Sequence, residues 1–278
     1  MQVVINQSCT CCVKCVKVCP GSVFHQETPK SKITVAMPEM CIGCGHCVAV
    51  CPENAIQHSE FPENKVHPVD YGLYPTSEQM LLLIRARRSN RAMTNKEIPS
   101  EFINQITEAA YRAPTASNLQ QVRIFLITDK DTLHKIGSFT ISAFHSVVKL
   151  VDNWLGRFIC KNFIPAAYKY LPVFRKMKSD FERGSDLILR GAPALLLICT
   201  PKNSRFGCED ANLAYQNASL MAECLGVGQF YTGFVLSASK IKKGKLEKML
   251  GIKGKIQAGM ALGMPAFRYL KYVDRKNQ

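Results

Sequence analysis

Two stretches near the start carry one spacing, C-x2-C-x2-C-x3-C-P. They are Cys9-Thr10-Cys11-Cys12-Val13-Lys14-Cys15-Val16-Lys17-Val18-Cys19-Pro20 and Cys41-Ile42-Gly43-Cys44-Gly45-His46-Cys47-Val48-Ala49-Val50-Cys51-Pro52. Three thiolates two residues apart can wrap three corners of one cube along a tight turn. The fourth, three residues on and followed by a helix-breaking Pro, points toward a neighbouring cube. This is the spacing of a 4Fe–4S ligand run whose fourth cysteine serves the other cluster when two are present. It assigns Cys9, Cys12, Cys15 and Cys51 to one cluster, and Cys41, Cys44, Cys47 and Cys19 to the second. Structural zinc also uses paired C-x2-C, but it needs two such pairs rather than two runs of four ending in Cys-Pro. Gly43 and Gly45 let backbone N–H groups approach the sulfurs. With eight ligands present neither cluster has an open iron, so the module passes single electrons. Cys11 is extra to the pattern and reads as a bystander thiol. His46 reads as a donor near sulfur or as solvated.

The rest of the chain is a different object. Nine of thirteen cysteines lie in the first 51 of 278 residues; the others are Cys160, Cys199, Cys208 and Cys224. An exported disulfide protein would spread its bridges through the fold. The formal charge of +15 is just as uneven, because residues 1–60 hold four Lys and four Glu and the remainder holds 32 basic against 17 acidic residues. At 47% hydrophobic and 21% charged, the chain can bury a core. No run reaches the roughly 18 apolar residues of a membrane helix. The first basic residue, Lys14, already lies inside the cysteine run, and Arg87-Arg88 is too deep for a twin-arginine signal. The expectation is a soluble, cytoplasmic protein with no membrane partner.

Residues 61–75, with Pro62, Pro68 and Pro75 and no hydrophobic period, read as a linker between domains at 1–60 and 76–278. Thr76 and Gln79 have the spacing of a capping box ahead of a helix. A second helix is expected over about 100–112, and buried strands over 122–128 and 194–200. A long helix over 208–226 carries an Ala211, Ala214, Ala218, Ala222 stripe suited to close packing in the core or at a dimer contact. A helix near 240–250 and a strand near 255–262 finish the domain. Residues 138–186 read as a less regular, aromatic and basic excursion.

Three local features of this half are weak alone. Arg87-Arg88-Ser89-Asn90-Arg91 puts three guanidiniums and a hydroxyl at a helix end, which suits a phosphate, although most such runs are solvated faces. Ala113-Pro114-Thr115-Ala116-Ser117-Asn118-Leu119-Gln120 is a helix end and turn before a strand. Leu225–Phe234 is punctuated by Gly226, Gly228 and Gly233, without the order of a dinucleotide loop.

In this order and spacing the three resemble the FMN-dependent nitroreductase family over residues 76–278. Gly191-Ala192-Pro193, Glu209-Asp210 and Leu262-Gly263-Met264-Pro265 extend the likeness. Residues 1–57 resemble the bacterial two-cluster ferredoxin, and the fusion resembles the ferredoxin-type nitroreductases of anaerobes. The resemblance implies an α+β chain: a small two-cluster ferredoxin domain, then a layered α/β/α domain with a mixed sheet. It implies FMN held by Arg87, Arg88, Ser89 and Arg91 at phosphate and ribityl chain. Thr232 and Gly233 would lie under the flavin, and Arg268 or Arg275 would close from the tail, where Met264-Pro265-Ala266-Phe267 departs from the usual pattern. Pro114, Thr115, Ala116, Ser117, Asn118 and Gln120 would reach the flavin of a partner subunit in a homodimer. A further flavin contact of the family does not align through 138–150.

The expected activity is that of an oxidoreductase: electrons enter through two 4Fe–4S clusters, collect on FMN and leave to a small electrophilic acceptor such as a nitroaromatic or quinone. The chemistry rests on the flavin, so no catalytic side chain is named. The alternative is a redox relay or sensor that stores electrons for a partner protein; saturable turnover of a small acceptor separates the two. An acidic electron carrier such as ferredoxin or flavodoxin suits the basic half by electrostatic steering. No recognition motif accompanies the lysines at 240–255, so no nucleic acid is expected. His25, His58, His67, His134 and His145 lack metal spacing, and Cys160, Cys199, Cys208 and Cys224 read as buried thiols.

Overall fold

The computed structural model describes residues 1–151, 158 and 165–275. They fall into two compact units, Met1–Pro75 with Ala116–Leu119, and Thr76–Thr115 with Gln120–Gln278. The stretch 61–75 groups with the first unit. It is exposed from Pro62 onward and is broken only by short 3-10 turns at Glu63–Lys65 and Tyr71–Leu73.

The first unit is a duplicated fold, and the duplication is written in its backbone angles. Strand β1 (Val3–Ile5) pairs antiparallel with β4 (Ile56–His58), and β2 (Phe24–His25) with β3 (Thr34–Val35). Helices α1 (Lys14–Val18) and α2 (His46–Val50) carry the third cysteine of each run, Cys15 and Cys47. A step of 32 residues maps Cys9–Pro20 onto Cys41–Pro52. Along that step Cys11 (φ 56°) matches Gly43 (φ 61°), Val13 (φ 56°) matches Gly45 (φ 75°), and Ser22 (φ 51°) matches Asn54 (φ 49°). Each run therefore needs two left-handed residues, which glycine supplies freely in the second run. Cys11 and Val13 hold that conformation in the first at a cost of about 1–2 kcal/mol each. Cys11 is thus the counterpart of a turn glycine. The core is small, Val3, Val23, Phe24, Ile33 and Ile56 with Cys15 and Cys47, and units of this size depend on staples beyond their apolar core.

The second unit is built on a four-stranded sheet, β5 (Arg123–Ile127), β6 (Ala194–Thr200), β7 (Gly228–Tyr231) and β8 (Lys255–Gly263), in the order β5-β6-β8-β7. Strand β6 is buried at every position. The side-chain alternation of a strand sends Ala194, Leu196 and Ile198 to one core and Leu195, Leu197 and Cys199 to the other. The first core is closed by α4 (Ser100–Tyr111) and α7 (Gly207–Cys224), whose Ala211, Ala214, Ala218 and Ala222 are all 0% exposed. The alanine stripe is core, because small side chains let α7 lie close against α4 and the sheet. The second core is closed by α5 (Lys130–Val151), α6 (Pro165–Glu182), α8 (Gly233–Ile241) and α9 (Lys245–Met249). Fully burying a leucine or isoleucine contributes about 1.5–3 kcal/mol, so the 0%-exposed run Leu195–Ile198 anchors both layers.

Several expectations need correction. The sheet is antiparallel in each described pairing rather than mixed. The connection from β5 to β6, which among the described residues includes α5 and α6, returns the chain to the end of the sheet it left, so β6 runs against β5. The single helix α7 carries β7 parallel to β6 in direction, but β8 lies between them. The described part of the excursion at 138–186 is largely α5 and α6, and α5 turns Leu133, Ile136, Thr140, Ile141, Phe144, Val148 and Val151 inward. Helix α9 is shorter than expected, and α8 precedes it. Cys199 is buried, but Cys208 and Cys224 are exposed; Cys160 lies outside the described residues. No helix among the described residues is long and apolar enough to cross a membrane.

Candidate functional site

In the first unit Cys19, Cys41, Cys44 and Cys47 line one cavity together with Gly45, His46 and His58. Cys19 comes from the first run and the other three from the second, the crossed grouping that the spacing assigns. Burial pushes the Cys47 thiol up to about 11, reinforced by the charges of Cys44, Cys19 and Cys41. Cys15 is likewise pushed up by burial, with Cys9 and Cys12 opposing its ionisation. Thiols that resist one another's ionisation become thiolates when cations stand between them, which is what a metal cluster provides. Among the described residues no three His, Cys, Asp or Glu side chains converge as a single ion requires; the four thiols ring a space. Backbone donors already point at sulfur, Val23 N–H to Cys19 Sγ at 3.3 Å and Ala55 N–H to Cys51 Sγ at 3.2 Å. The donor set fits a 4Fe–4S group. His46 is exposed.

The arginine run sits where α3 (Ser77–Ala86) ends. Its start is fixed by the capping box, with Gln79 N–H donating to Thr76 Oγ1 at 3.2 Å and Thr76 N–H to Gln79 Oε1 at 2.8 Å. Arg87 caps the C-terminus, and its charge, with the Arg88 N–H, partly offsets the burial that raises the Glu223 carboxyl. Behind the run lies a polar network in which Tyr215 Oη donates to Gln229 Oε1 at 2.8 Å. Gln229 Nε2 in turn donates to Ser219 Oγ at 2.9 Å and to the Arg88 carbonyl at 3.4 Å. Burial pushes Tyr215 up to about 12. Asn90, absent from the expected contacts, is the buried pin of the run. Its Nδ2 donates to the Phe267 carbonyl at 3.0 Å and its Oδ1 accepts from Ala92 N–H at 3.1 Å. The tail is tied back further by Arg88 Nη2 to the Val273 carbonyl at 3.4 Å and Thr94 N–H to the Met264 carbonyl at 2.8 Å. Arg268 brings its guanidinium against Gly226, where an added Cβ would lie 3.2 Å from Nη2. Arg275 is exposed.

A cavity of about 420 Å³ opens beside this run, lined by Arg91, Thr232, Gly233, Arg190 and the rings of Phe144, Tyr170, Phe174, Phe230, Tyr231 and Phe234. Arg91 stands 5.7 Å above the Phe230 ring and donates to the Ser89 carbonyl at 3.3 Å. Of the expected flavin residues, Arg91, Thr232 and Gly233 therefore meet at one wall. Two features fit a planar, phosphorylated cofactor. A Cβ on Gly233, the first residue of α8, would meet nothing within 4 Å, which leaves the helix N-terminus open. Thr232 Oγ1 is buried and has no hydrogen-bond partner among the described residues. Arg190 was not anticipated. It holds φ 56° in a loop organised by Asp186, whose Oδ1 accepts from Ile188 and Leu189 N–H at 2.8 and 3.0 Å.

The turn at 113–120 is strained, with Ser117, Asn118 and Gln120 at φ 51°, 53° and 50°. Thr115 Oγ1 accepts from Gln120 N–H at 3.0 Å, and Pro114 is exposed. Ala116–Leu119 belongs to the cysteine unit, where Asn118 Nδ2 donates to the carbonyls of Ile42 and Gly43 at 3.1 and 2.8 Å. The side chain of Asn118 thus holds the backbone between Cys41 and Cys44.

Comparison with known proteins accords with both halves. Residues 84–264 match the model of the nitroreductase family, and residues 8–56 match that of a 4Fe-4S dicluster domain. A protein of Archaeoglobus fulgidus named for NADH dehydrogenase/NAD(P)H nitroreductase activity is 26% identical over 195 residues, 68% of this chain and 86% of its own length. The FMN reductase (NAD(P)H) of Bacillus subtilis is 26% identical over 196 residues, 66% of this chain and 65% of that protein. A nitroreductase with bound FMN from Desulfitobacterium hafniense shares the fold at a TM-score of 0.53 and 20% identity, covering 71% of this chain and 95% of that one. With the family model spanning well over half of its length, the chain belongs to the nitroreductase family of oxidoreductases and carries a 4Fe–4S dicluster domain ahead of the family's own.

Proposed function

We propose that the chain takes electrons singly through two 4Fe–4S clusters, gathers them on FMN and delivers them to a small conjugated acceptor such as a nitroaromatic or quinone. The observation that carries this reading is the presence, on one chain, of a thiol-ringed cavity and an aromatic cavity walled by guanidiniums. FMN, when bound, supplies the exchange between one- and two-electron transfer. Arg87, Arg88, Ser89 and Arg91 hold its phosphate and ribityl chain by charge-assisted hydrogen bonds, with Arg268 or Arg275 closing from the tail. Thr232 and Gly233 present backbone to the ring system, and the surrounding rings exclude water and stack a planar acceptor.

A homodimer completes the site, with Pro114–Asn118 and Gln120 reaching the flavin of the partner subunit. In its support, α3 buries none of its side chains, leaving Leu81, Leu82 and Ile84 exposed, and the tail exposes Phe267, Leu270 and Val273. Apolar area of this extent marks a protein contact. The named relatives point to NAD(P)H, a hydride donor, whereas the cysteine unit gives this chain an entry for one-electron donors. An acidic carrier protein suits the net charge of +15. A cytoplasmic setting suits free thiols.

The test is an anaerobic preparation of the whole chain, reconstituted with iron, sulfide and FMN. The reading expects about eight iron, eight sulfide and one FMN per chain, with saturable oxidation of the reduced protein by nitroaromatics or quinones. Full cofactor counts without saturable turnover would favour a relay.

A further inference from the structure

The duplication of the cysteine unit allows its two halves to be compared donor by donor. Val16 N–H serves Cys15 as Val48 N–H serves Cys47. Val23 N–H serves Cys19 as Ala55 N–H serves Cys51. Each crossed group of four thiols therefore receives this pair of backbone donors, to which Cys15 adds its own N–H. In side-chain donors to these sulfurs the halves differ at one position. His58 Nε2 lies 3.4 Å from Cys41 Sγ. The residue 32 positions earlier is Gln26, whose Nε2 instead donates to the Ser31 carbonyl at 2.7 Å and the Cys11 carbonyl at 3.5 Å. Among the described residues no side-chain donor reaches the sulfurs of Cys9, Cys12, Cys15 or Cys51.

The direction of the His58 bond follows from its other nitrogen. Glu60 N–H donates to His58 Nδ1 at 3.1 Å, so Nδ1 is an acceptor and the ring proton resides on Nε2, facing sulfur. The ring is 5% exposed, packs 4.9 Å from Phe61 and lines the same cavity as the four thiols. In so dry a setting an N–H dipole acts on sulfur with little screening.

We propose that His58 is a tuning residue for the cluster site of Cys19, Cys41, Cys44 and Cys47, raising its reduction potential by donating Nε2–H to Cys41 Sγ. The inference rests on the reading of the cysteines as cluster ligands. Reduction by a low-potential reductant such as dithionite adds one electron to the cluster, whose net charge falls by one, and moves no proton. The added charge spreads onto sulfur, where a hydrogen-bond donor favours the reduced state. The first run alone carries lysines, Lys14 and Lys17, both exposed, so the effect is read from a variant and not from the difference between the two sites.

The experiment is an EPR-monitored redox titration of the anaerobically reconstituted whole chain at one pH, with wild type, His58→Phe and His58→Gln. One of the two reduction waves moves to more negative potential in H58F while the other stays, and H58Q, which keeps an N–H donor, recovers part of the shift. Unmoved waves, or equal movement of both, in H58F with its full iron content overturn the proposal. Protein labelled with 15N-histidine supplies a second readout. Pulsed EPR finds a histidine nitrogen coupled to one reduced cluster only, retained in His46→Gln and lost in H58F, and absence of that coupling in wild type, or its persistence in H58F, also overturns the proposal. Iron and sulfide missing from reconstituted wild type would overturn the cluster reading itself, a separate outcome.

Discussion

Cys19 stands with Cys47: the two line one cavity, and the charge of Cys19 helps to hold the Cys47 thiol up at about 11, although they belong to different cysteine runs. Cys19 reaches the second run because Cys19-Pro20 ends α1 and turns this thiol away from its own loop. The caps agree, Cys19 at φ −79°, ψ 110° and Cys51 at φ −79°, ψ 113°.

Substitution should therefore damage the distant site. Cys51→Ala is expected to impair the cluster of Cys9, Cys12 and Cys15, and Cys19→Ala the cluster of Cys41, Cys44 and Cys47. Resolved EPR of singly substituted proteins reads this. Damage confined to the run that carries the substitution would rule out the crossing.

Arg87→Ala should lower FMN affinity and leave iron content unchanged. A lost charge-assisted phosphate contact costs about 1.5–3 kcal/mol, roughly ten- to a hundredfold. Riboflavin, which lacks the phosphate, should bind both proteins alike in a fluorescence titration. An equal loss for both ligands would mean that Arg87 acts through Glu223 and Tyr215 on the fold.

Asn90→Ala should free the tail. It removes the donor to the Phe267 carbonyl and the acceptor for Ala92 N–H, a loss of about 1–3 kcal/mol for buried partners. Limited proteolysis should then cut within 267–275 earlier than in wild type, with the core fragment intact. Unchanged cleavage would show the tail to be held elsewhere.

Cys199 predicts an alkaline limb of stability in the flavin half. Burial pushes its thiol up to about 12 from 9.0, with the Glu247 charge adding to the shift. Its contribution is fully present below pH 9, where both states hold the proton. As pH rises through 9 toward 12, the unfolded chain releases the proton and the native chain keeps it, so stability falls by up to about 1.4 kcal/mol per pH unit. Chemical denaturation between pH 8 and 10 should show a shallower decline in Cys199→Ala than in wild type, whatever its absolute stability. Parallel slopes would contradict the assignment.

The cysteine spacing, the Thr76–Gln79 capping box, strands β5, β6 and β8 and the α7 alanines were legible because each is a local signal with one physical reading. The helices at 138–186 were not. Ile136, Thr140, Ile141, Val147, Val148 and Val151 are β-branched and disfavour helix locally, and burial of one face in the second core overrides that preference. His58 carries no such signal, because a lone histidine seven residues beyond Cys51 gives no spacing. Its role depends on β1–β4 pairing, which brings it back beside Cys41. Arg190 and Asn90 gain meaning from a loop geometry and a tail contact that no sequence window contains.

Electrons are proposed to reach the flavin by a route through the cysteine unit. Stopped-flow flavin reduction by reduced ferredoxin, under anaerobic conditions, tests it in the whole chain against a Cys41→Ala, Cys44→Ala protein that keeps its FMN. Rapid reduction is expected in wild type and loss of that rapid phase in the variant, with chemical reduction of the flavin by dithionite unaffected. Equal rates with ferredoxin in the two proteins would contradict it.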